Sequence, residues 1–329
     1  MSEQTSDETL QQVGEFGLID RVARMVQQGP AVLLGPGDDA AVIAASDGRV
    51  VASTDLLLEG SHFRREWSSA YQVGRKAAAQ NLADIAAMGA VPTALLVGLV
   101  APGDLPLTWA RDLAAGLADE CAPLGASVAG GDTTRGDVLT IAVTALGDLR
   151  GRPPVTRSGA HPGDVVAVAG ELGWSACGLE FLARGAQADA PEEALRRHRV
   201  PRPPYAAGPQ AADAGATALI DVSDGLLADV GHIADESGVA IDLDRELVEA
   251  RVPADMADAA LRLGIDPLEW VLTGGEDHAL VACFPAEAAL PEGWRALGRV
   301  EAAGAERGAV TIGGKTWVGV RGWDHFASR

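Results

Sequence analysis

Apolar residues recur along this chain in short blocks separated by glycine, aspartate and proline turns. In the first half, apolar residues at helical spacing predict helices over residues 17–28, 71–88 and 107–123. The second of these helices ends at Gly89, a residue type common at helix ends. Apolar runs of strand length predict five strands, over residues 41–45, 50–54, 93–101, 126–129 and 138–146.

The polar, turn-rich stretch 148–154 predicts a linker, and a second alternation of strands and helices follows it. Strands are expected over 164–169, 217–220, 239–243, 279–284 and 309–312, and helices over 175–183 and 226–236. Residues 185–204, rich in proline and arginine, predict a loop. We therefore expect an α/β (α+β) protein with a disordered tail at 1–13, an N-terminal domain at 14–148 and a C-terminal domain at 149–329.

Composition narrows the class of protein. A formal net charge of −20 argues against nucleic-acid binding, which needs a positive surface. If the substrate is a polyphosphate, such a chain needs cations to hold it, although the charge could equally serve solubility alone. The cysteines Cys121, Cys177 and Cys283 lie far apart without metal-ligand spacing, which favours a reducing, cytoplasmic location. No apolar run reaches the length of a membrane span, and the polar N-terminus does not resemble a secretory signal.

Carboxylates recur beside glycines and hydroxyls in the N-terminal half. Asp38 and Asp39 follow the glycine turn at residues 35–37, and repelling neighbours of this kind favour a bound cation such as magnesium. Three further segments repeat this chemistry: Ser53-Thr54-Asp55 with His62 shortly after it, Asn81 and Asp84 on one face of a helix, and Gly130-Gly131-Asp132-Thr133-Thr134 after a short strand.

Two similar segments lie in the C-terminal half. Residues 221–225 (DVSDG) join a predicted strand to a helix whose first N–H groups suit an anion. Residues 273–277 (TGGED) again place acid beside glycine. Taken singly, each segment in either half is also compatible with an ordinary turn, a helix cap or a solvated helix face. Their repetition at strand ends and glycine turns favours a phosphate and metal site.

Two familiar nucleotide-binding designs are absent. No G-x-x-x-x-G-K-[ST] segment occurs, which excludes a Walker P-loop. No G-x-G-x-x-G fingerprint followed by an acidic residue occurs either, which disfavours a dinucleotide fold.

The order of these motifs resembles the thiamine-monophosphate kinase family of the aminoimidazole ribonucleotide synthetase superfamily. The matching strings are GPGDDAAV from Gly35, STD from Ser53, EGSHF from Glu59, NLADIAAMGA from Asn81, GGDTTRG from Gly130, TRSGAHPGD from Thr156, IDVSDGL from Ile220, GGEDH from Gly274 and GWDHF from Gly322. The resemblance implies a two-domain synthetase-like fold, with an N-terminal domain that carries an ATP and magnesium site and forms a dimeric β-barrel, and a C-terminal α/β domain. It therefore implies a homodimer.

The resemblance also assigns roles to single positions. The implied magnesium ligands are Asp39, Ser53, Thr54, Asp55, Asp84, Asp132, Asp221 and Asp224, with Asp38 left open. Positions around ATP are Gly131, Asp132, Arg157 and Ser223. Positions around thiamine monophosphate are His62, Glu276 and Trp323. The catalytic set is Asp132, Arg157 and Asp221.

The implied reaction is direct in-line transfer of the γ-phosphoryl group of ATP to thiamine monophosphate, the last step of thiamine diphosphate biosynthesis, with several Mg²⁺ ions and neither nucleic acid nor membrane as a partner. Another ATP-using member of the superfamily and a catalytically inactive nucleotide-binding scaffold stay open as alternatives. A selenophosphate synthetase would carry a reactive cysteine near its N-terminus, and no cysteine precedes Cys121.

Overall fold

The computed structural model describes residues 8–35, 40–304 and 308–323. The chain divides into two compact units. The first contains the described residues up to Ile85 together with Val91–Asp148, and the second contains Ala86–Ala90 together with the described residues from Leu149 onward.

The first unit is built on a sheet with helices on one face. Its elements, in chain order, are α1 (Leu10–Ala23), β1 (Val32–Leu34), β2 (Val42–Ile43), β3 (Val51–Leu58), α2 (Ala70–Ala87), β4 (Val91–Ala101), α3 (Leu107–Cys121), β5 (Ser127–Arg135) and β6 (Thr140–Asp148). In the described part of this unit, four strands form a sheet in the order β3-β6-β4-β5. β6 is antiparallel to β3 and β4, and β4 is parallel to β5.

Strand β3 shows that the two faces of this sheet differ. Leu57 is fully buried, whereas Leu56 is 61% exposed and Leu58 is also exposed. Because side chains alternate along a strand, Ser53, Asp55 and Leu57 share the helix-covered face while Leu56 lies on the open one. Within the described residues, the sheet is not closed into a barrel.

Helices α2 and α3 approach each other through two glycines. A Cβ atom on Gly116 would lie 2.0 Å from the carbonyl oxygen of Tyr71, and one on Gly74 would lie 2.1 Å from that of Leu113. The two backbones are therefore in direct contact at these positions. This approach places α2 firmly against α3 and fixes the helix that carries Asp84.

The second unit contains a larger sheet covered on both faces. Its elements are β7 (Val165–Ala169), α4 (Trp174–Ala183), α5 (Glu192–Arg199), α6 (Ala207–Asp213), β8 (Ala218–Asp221), α7 (Leu226–Ser237), β9 (Ala240–Leu243), α8 (Arg245–Glu249), α9 (Ala254–Leu263), α10 (Pro267–Thr273), β10 (Leu280–Phe284), β11 (Trp294–Glu301), β12 (Val310–Ile312) and β13 (Lys315–Thr316). The described strands pair in the order β13-β12-β9-β11-β7-β10-β8, antiparallel except for β9 and β12.

Alternate residues of the central strands feed two hydrophobic cores. Val166, Val168 and Ile220 pack with residues of α4, α7, α9 and α10 on one face. Ala167 and Leu219 pack with residues of α6 and with the last two residues of α2 on the other. The double cover explains why these strands read as continuous apolar runs. Strand β8 lies at the edge of the sheet, so Asp221, its last residue, lies at the margin of both cores.

The mixed α/β class that the sequence predicts is confirmed, and several element boundaries are corrected. The first helix begins at Leu10 and ends at Ala23, not at 17 and 28. Its start is held by backbone bonds from Leu10 N to Leu105 O and from Gln11 N to Gly103 O, both 3.0 Å. Residues 10–13 of the expected disordered tail are therefore helical. These long-range bonds cannot be read from local periodicity.

The loop expected at 185–204 was also wrong in part, because α5 lies within it. Pro191 precedes the helix, acidic Glu192 and Glu193 occupy its first turn, and the basic residues fall in its last turn. Both charge positions complement the helix dipole. Prolines flank this helix rather than interrupt it.

The described part of the chain has no helix that is long and apolar enough to cross a membrane.

The glycine contact between α2 and α3 gives a first prediction. Gly116→Ala should lower the free energy of unfolding by about 1–3 kcal/mol, because the added methyl group forces two backbones apart. The matched control is Gly231→Ala in α7, where a Cβ meets no atom within 4 Å. That change should be neutral or stabilising by up to about 1 kcal/mol, since alanine favours a helix. Urea unfolding measures both, and equal effects would contradict the proposed contact.

Candidate active site

In the first unit, the structure brings three predicted ligands together where β3 faces α2. Ser53 Oγ donates a hydrogen bond of 2.6 Å to Asp84 Oδ2. Asp55 lies two residues along the strand on the same face, and its backbone N donates to Asn81 Oδ1 at 3.1 Å. The side chains of Ser53, Asp55 and Asp84 are half-buried. An oxygen-only set of this kind suits a hard cation such as Mg²⁺.

A polar stripe on α2 supports this cluster, and the sequence reasoning missed most of it. Lys76, Gln80 and Asp84 are spaced four residues apart, so they share one face of the helix. Gln80 Nε2 donates to Asp55 Oδ2 at 3.3 Å. Lys76 is only 2% exposed, and its Nζ donates to the carbonyl oxygen of His62 at 3.1 Å. The four-residue spacing of these polar residues within an alanine-rich helix was the signal that could have revealed them.

His62 lies in the turn that follows β3. Its Nδ1 accepts a hydrogen bond of 3.0 Å from the backbone N of Leu58. Nδ1 is therefore unprotonated in this arrangement, and the neutral ring carries its proton on Nε2. This contact fixes the orientation of the imidazole, and the Lys76 bond to the His62 carbonyl holds the backbone at the same residue.

Thr54 and Asp132 lie on the other face of the sheet. Thr54 is directly opposite Thr144 in the β3–β6 register, and Thr144 Oγ1 donates to Thr54 Oγ1 at 3.1 Å. Asp132 pairs with Gly98, which pairs in turn with Ala142 of that open face. The Thr54 hydroxyl is thus separated from Ser53 and Asp55 by the sheet, a consequence of side-chain alternation along the strand.

The segment GGDTT lies within β5, not in a turn after a strand as expected. The strand continues to Arg135 because β4 supplies backbone partners along its whole length. Gly131 permits this approach, since a Cβ there would lie 1.9 Å from the carbonyl oxygen of Val97. Gly131 and Asp132 border a largely apolar cavity of about 920 Å³, which residues of α1, α3, β4 and β6 also line. That volume is within the range of small-molecule sites.

In the second unit, predicted residues converge at the end of β8. Asp221 ends the strand, and Ser223 and Asp224 occupy the turn before α7. The backbone N of Glu276 donates to Ser223 O at 2.8 Å, and that of Trp323 donates to Asp224 O at 2.9 Å. Five residues from three separate sequence segments therefore meet at one strand end.

The pKa of Asp229 shows that this region is acidic. Its Oδ2 accepts from the backbone N of Asp224 at 3.1 Å and of Gly225 at 3.0 Å, so it fixes the turn. Burial, followed by the charges of Asp221 and Asp224, raises its pKa to about 8. A bound cation would therefore offset the negative charge of Asp221 and Asp224.

Asp277 anchors the neighbouring loop. It accepts from Ser175 N at 2.9 Å through Oδ1 and from Gly173 N at 2.5 Å through Oδ2, at the start of α4. Burial raises its pKa to about 7, because the loss of hydration outweighs these two donors. Asp277 belongs to the TGGED segment that the sequence pointed to, but the sequence predicted no role for it or for Asp229.

Two predicted residues are placed less fully. Arg157 is exposed and follows Thr156, whose carbonyl accepts from Leu219 N of β8 at 3.2 Å. It therefore lies on the segment that flanks the strand ending in Asp221. Asp39 lies outside the described residues, as does Asp38.

The described residues fit magnesium as a shared rather than a fully caged ion. Among them, no group of three His, Cys, Asp or Glu side chains is close enough to hold a metal by itself. Mg²⁺ is commonly held by one or two carboxylates together with waters and substrate phosphates. The Ser53–Asp84 pair and the two carboxylates Asp221 and Asp224 match that pattern.

The cysteines take no part in this chemistry. Burial raises the pKa of Cys121, Cys177 and Cys283 to about 12 in each case, so the reactive thiolate is scarce at neutral pH.

The structure thus consists of two α/β units that hold carboxylates and glycines at strand ends. This arrangement defines a class of protein that can bind phosphate and metal. Residues 37–149 match the family described as "AIR synthase related protein, N-terminal domain". The chain is 52% identical over 322 residues to a thiamine-monophosphate kinase of Mycobacterium tuberculosis, covering 98% of this chain and 94% of the relative. It is 39% identical over 321 residues to that of Corynebacterium glutamicum, covering 95% of each.

Among solved structures, AaThiL complexed with AMPPCP and TMP superposes with a TM-score of 0.78 at 32% identity, covering 97% of this chain and 99% of that one. The chain belongs to the thiamine-monophosphate kinase family.

The buried Asp277 gives a prediction for the pH dependence of stability. Folded Asp277 keeps its proton up to a pH of about 7, whereas an ordinary aspartate releases it near 3.8. Between these values the folded state binds the extra proton, so the free energy of unfolding falls as pH rises, by at most about 1.4 kcal/mol per pH unit. Asp277→Asn cannot titrate, so wild type should lose stability relative to the variant over this window.

Urea unfolding across this pH window, without divalent cations, measures the difference. Groups that do not interact with Asp277 titrate alike in both proteins and cancel. Asp235→Asn, an exposed change in α7, is the control and should run parallel to wild type. Parallel curves for Asp277→Asn would show that its pKa is ordinary.

Proposed function

We propose that this protein transfers the γ-phosphoryl group of ATP to the phosphate of thiamine monophosphate, forming thiamine diphosphate. The observation that carries the proposal is the convergence of Asp221, Ser223, Asp224, Glu276 and Trp323 at the end of β8. Relatives that carry the kinase name match almost the whole chain, which supports the same conclusion.

The acceptor explains why the protein needs no general base. A phosphate monoester has a second pKa of about 6, so the attacking oxygen of thiamine monophosphate is already ionised at neutral pH. The protein's task is to align two anions that repel each other and to stabilise the charge of the transferring group. We assign Arg157 to that charge, with Asp132 and Asp221 as the carboxylates nearest the chemistry.

Magnesium, when bound, would neutralise the phosphates and polarise the transferring group. In the first unit, Asp55 and Asp84 would hold it, with Ser53 fixing the Asp84 carboxylate. Asp221 and Asp224 would hold it in the second unit. Asp39 and the Thr54 backbone remain proposed ligands from the family resemblance.

Binding roles follow from side-chain chemistry. Trp323 is 45% exposed, so its indole face is accessible to the aromatic rings of thiamine, including the cationic thiazolium. We assign Glu276 and His62 to the same substrate. We assign Gly131, Asp132 and Ser223 to ATP, as the family resemblance implies, and Ser223 lies in the turn before α7.

We further propose that the open face of the first unit's sheet is covered by a second copy of the chain, forming a dimeric β-barrel. β3 is an edge strand, and its Leu56 and Leu58 are exposed on that face. Exposed apolar residues on an edge strand are a liability that association removes. The free cysteines support a cytoplasmic setting for this homodimer.

The activity is tested with ATP, Mg²⁺ and thiamine monophosphate, with thiamine diphosphate followed by chromatography. Product should form from the monophosphate and not from free thiamine. Asp84→Asn should lower kcat by roughly 100-fold or more, since it removes a charge that stabilises the metal-bound transition state.

Asp112→Asn, an exposed change on α3 of the same unit, is the matched control and should keep the wild-type rate. ATP binding without any diphosphate would favour the inactive-scaffold alternative. Full activity of Asp84→Asn would remove Asp84 from the metal site.

The dimer is tested by sedimentation equilibrium. Wild type should sediment at twice the chain mass of 33.7 kDa, and Leu56→Asp at the monomer mass, because a charge would be buried in the barrel. Leu261→Asp is the control, since Leu261 is 81% exposed on α9 of the second unit. A monomeric wild-type protein, or a dimeric Leu56→Asp variant, would contradict this interface.

A further inference from the structure

His278 makes a buried contact with Asp221 that neither the sequence motifs nor the proposed chemistry assigns. Its Nδ1 lies 3.1 Å from Asp221 Oδ2. The side chains are almost completely inaccessible, with His278 only 6% and Asp221 only 4% exposed. A buried carboxylate is costly unless it receives hydrogen bonds, so this donor matters to the state of Asp221.

The backbone around His278 is held in an unusual conformation. His278 has φ 52° and Glu276 has φ 62°, both in the left-handed region that non-glycine residues seldom occupy. A residue held in this region is strained, so the surroundings must impose the conformation. Segments of this kind occur often at functional sites.

Three contacts impose it. His278 N donates to Val222 O at 2.9 Å, and Glu276 N donates to Ser223 O, which ties the loop to the turn after β8. Between them, the Asp277 carboxylate is bound to the start of α4. The loop therefore has little freedom to turn the imidazole away from Asp221.

In this arrangement, one oxygen of the Asp221 carboxylate, Oδ2, contacts the His278 imidazole. Because Oδ2 contacts His278, the rotation of the carboxylate about its side-chain bond is fixed. The direction of Oδ1 is then fixed as well. Metal ligands are commonly oriented through such outer contacts, whose loss weakens metal affinity by about 10–100-fold.

We propose that His278 is a positioning residue, which holds the carboxylate of Asp221 in the orientation that receives a divalent cation. This inference rests on the proposed function and deepens it. His278 itself touches neither substrate nor metal. Its Nδ1 carries the proton, since the neighbouring atom is a carboxylate oxygen.

The test measures binding of Mn²⁺ alone to the full chain, by electron paramagnetic resonance, without nucleotide or thiamine monophosphate. His278→Leu removes the donor and should weaken Mn²⁺ binding by at least about tenfold. His278→Asn should restore most of the affinity, because its amide N occupies nearly the position of Nδ1 and asparagine tolerates a positive φ.

A double-mutant cycle separates positioning from simple loss of stability. In an Asp221→Asn background, His278→Leu should cause no further loss of Mn²⁺ affinity, because the carboxylate that it positions is already gone. Thermal unfolding with chelator present identifies the folded fraction of each variant. A purely structural role would lower the melting temperature while folded protein binds Mn²⁺ normally.

Two outcomes would overturn the inference in distinguishable ways. Unchanged Mn²⁺ affinity in folded His278→Leu, with wild type still forming thiamine diphosphate, would reject the positioning role and leave the proposed function intact. A wild-type protein that neither binds Mn²⁺ nor forms diphosphate would reject both.

Discussion

The burial of carboxylates at the end of β8 is the constraint on which the second unit's site depends. Burial, followed by the nearby charges of Asp221 and Asp224, raises the pKa of Asp229 to about 8. The fold stabilises the buried Asp229 carboxyl group with two backbone hydrogen bonds, which the N–H groups of Asp224 and Gly225 donate. The tight turn after β8 is therefore needed to hold several carboxylates at one strand end. A bound cation would offset the negative charge of Asp221 and Asp224.

Elements whose burial follows from local pattern could be predicted from the sequence. Helix α2 was expected at 71–88 and spans Ala70–Ala87, and the strand at 279–284 is β10, Leu280–Phe284. Both have strong apolar periodicity and clear ends. The errors arose where distant backbone decides the outcome. β5 continues through two glycines only because β4 runs beside it, and α1 starts early only because residues 103–105 accept its N–H groups.

The candidate site shows the same division. Motif chemistry located Ser53, Asp55 and Asp84, and the structure brings them together across β3 and α2. It grouped Thr54 with its neighbours, although alternation along a strand places the Thr54 side chain on the opposite face from Ser53 and Asp55. Lys76 was missed although its spacing with Gln80 and Asp84 is visible in the sequence, and His278 was noticed only as the last residue of the GGEDH string. What each residue does became clear only when its buried partner was located, the His62 carbonyl for Lys76 and the Asp221 carboxylate for His278.

The groups that other enzymes use as nucleophiles or bases are committed here to structural contacts. His62 accepts a backbone N–H through Nδ1, His278 is bound to Asp221, and burial raises the pKa of the cysteine thiols far above neutrality. A reaction whose nucleophile arrives already ionised suits such a chain, since it demands alignment and charge neutralisation and not proton transfer. The same reasoning makes the net charge of −20 intelligible. Carboxylates can hold a polyphosphate only through cations, so the acidic residues that would repel the substrate become the ligands of the ions that accompany it.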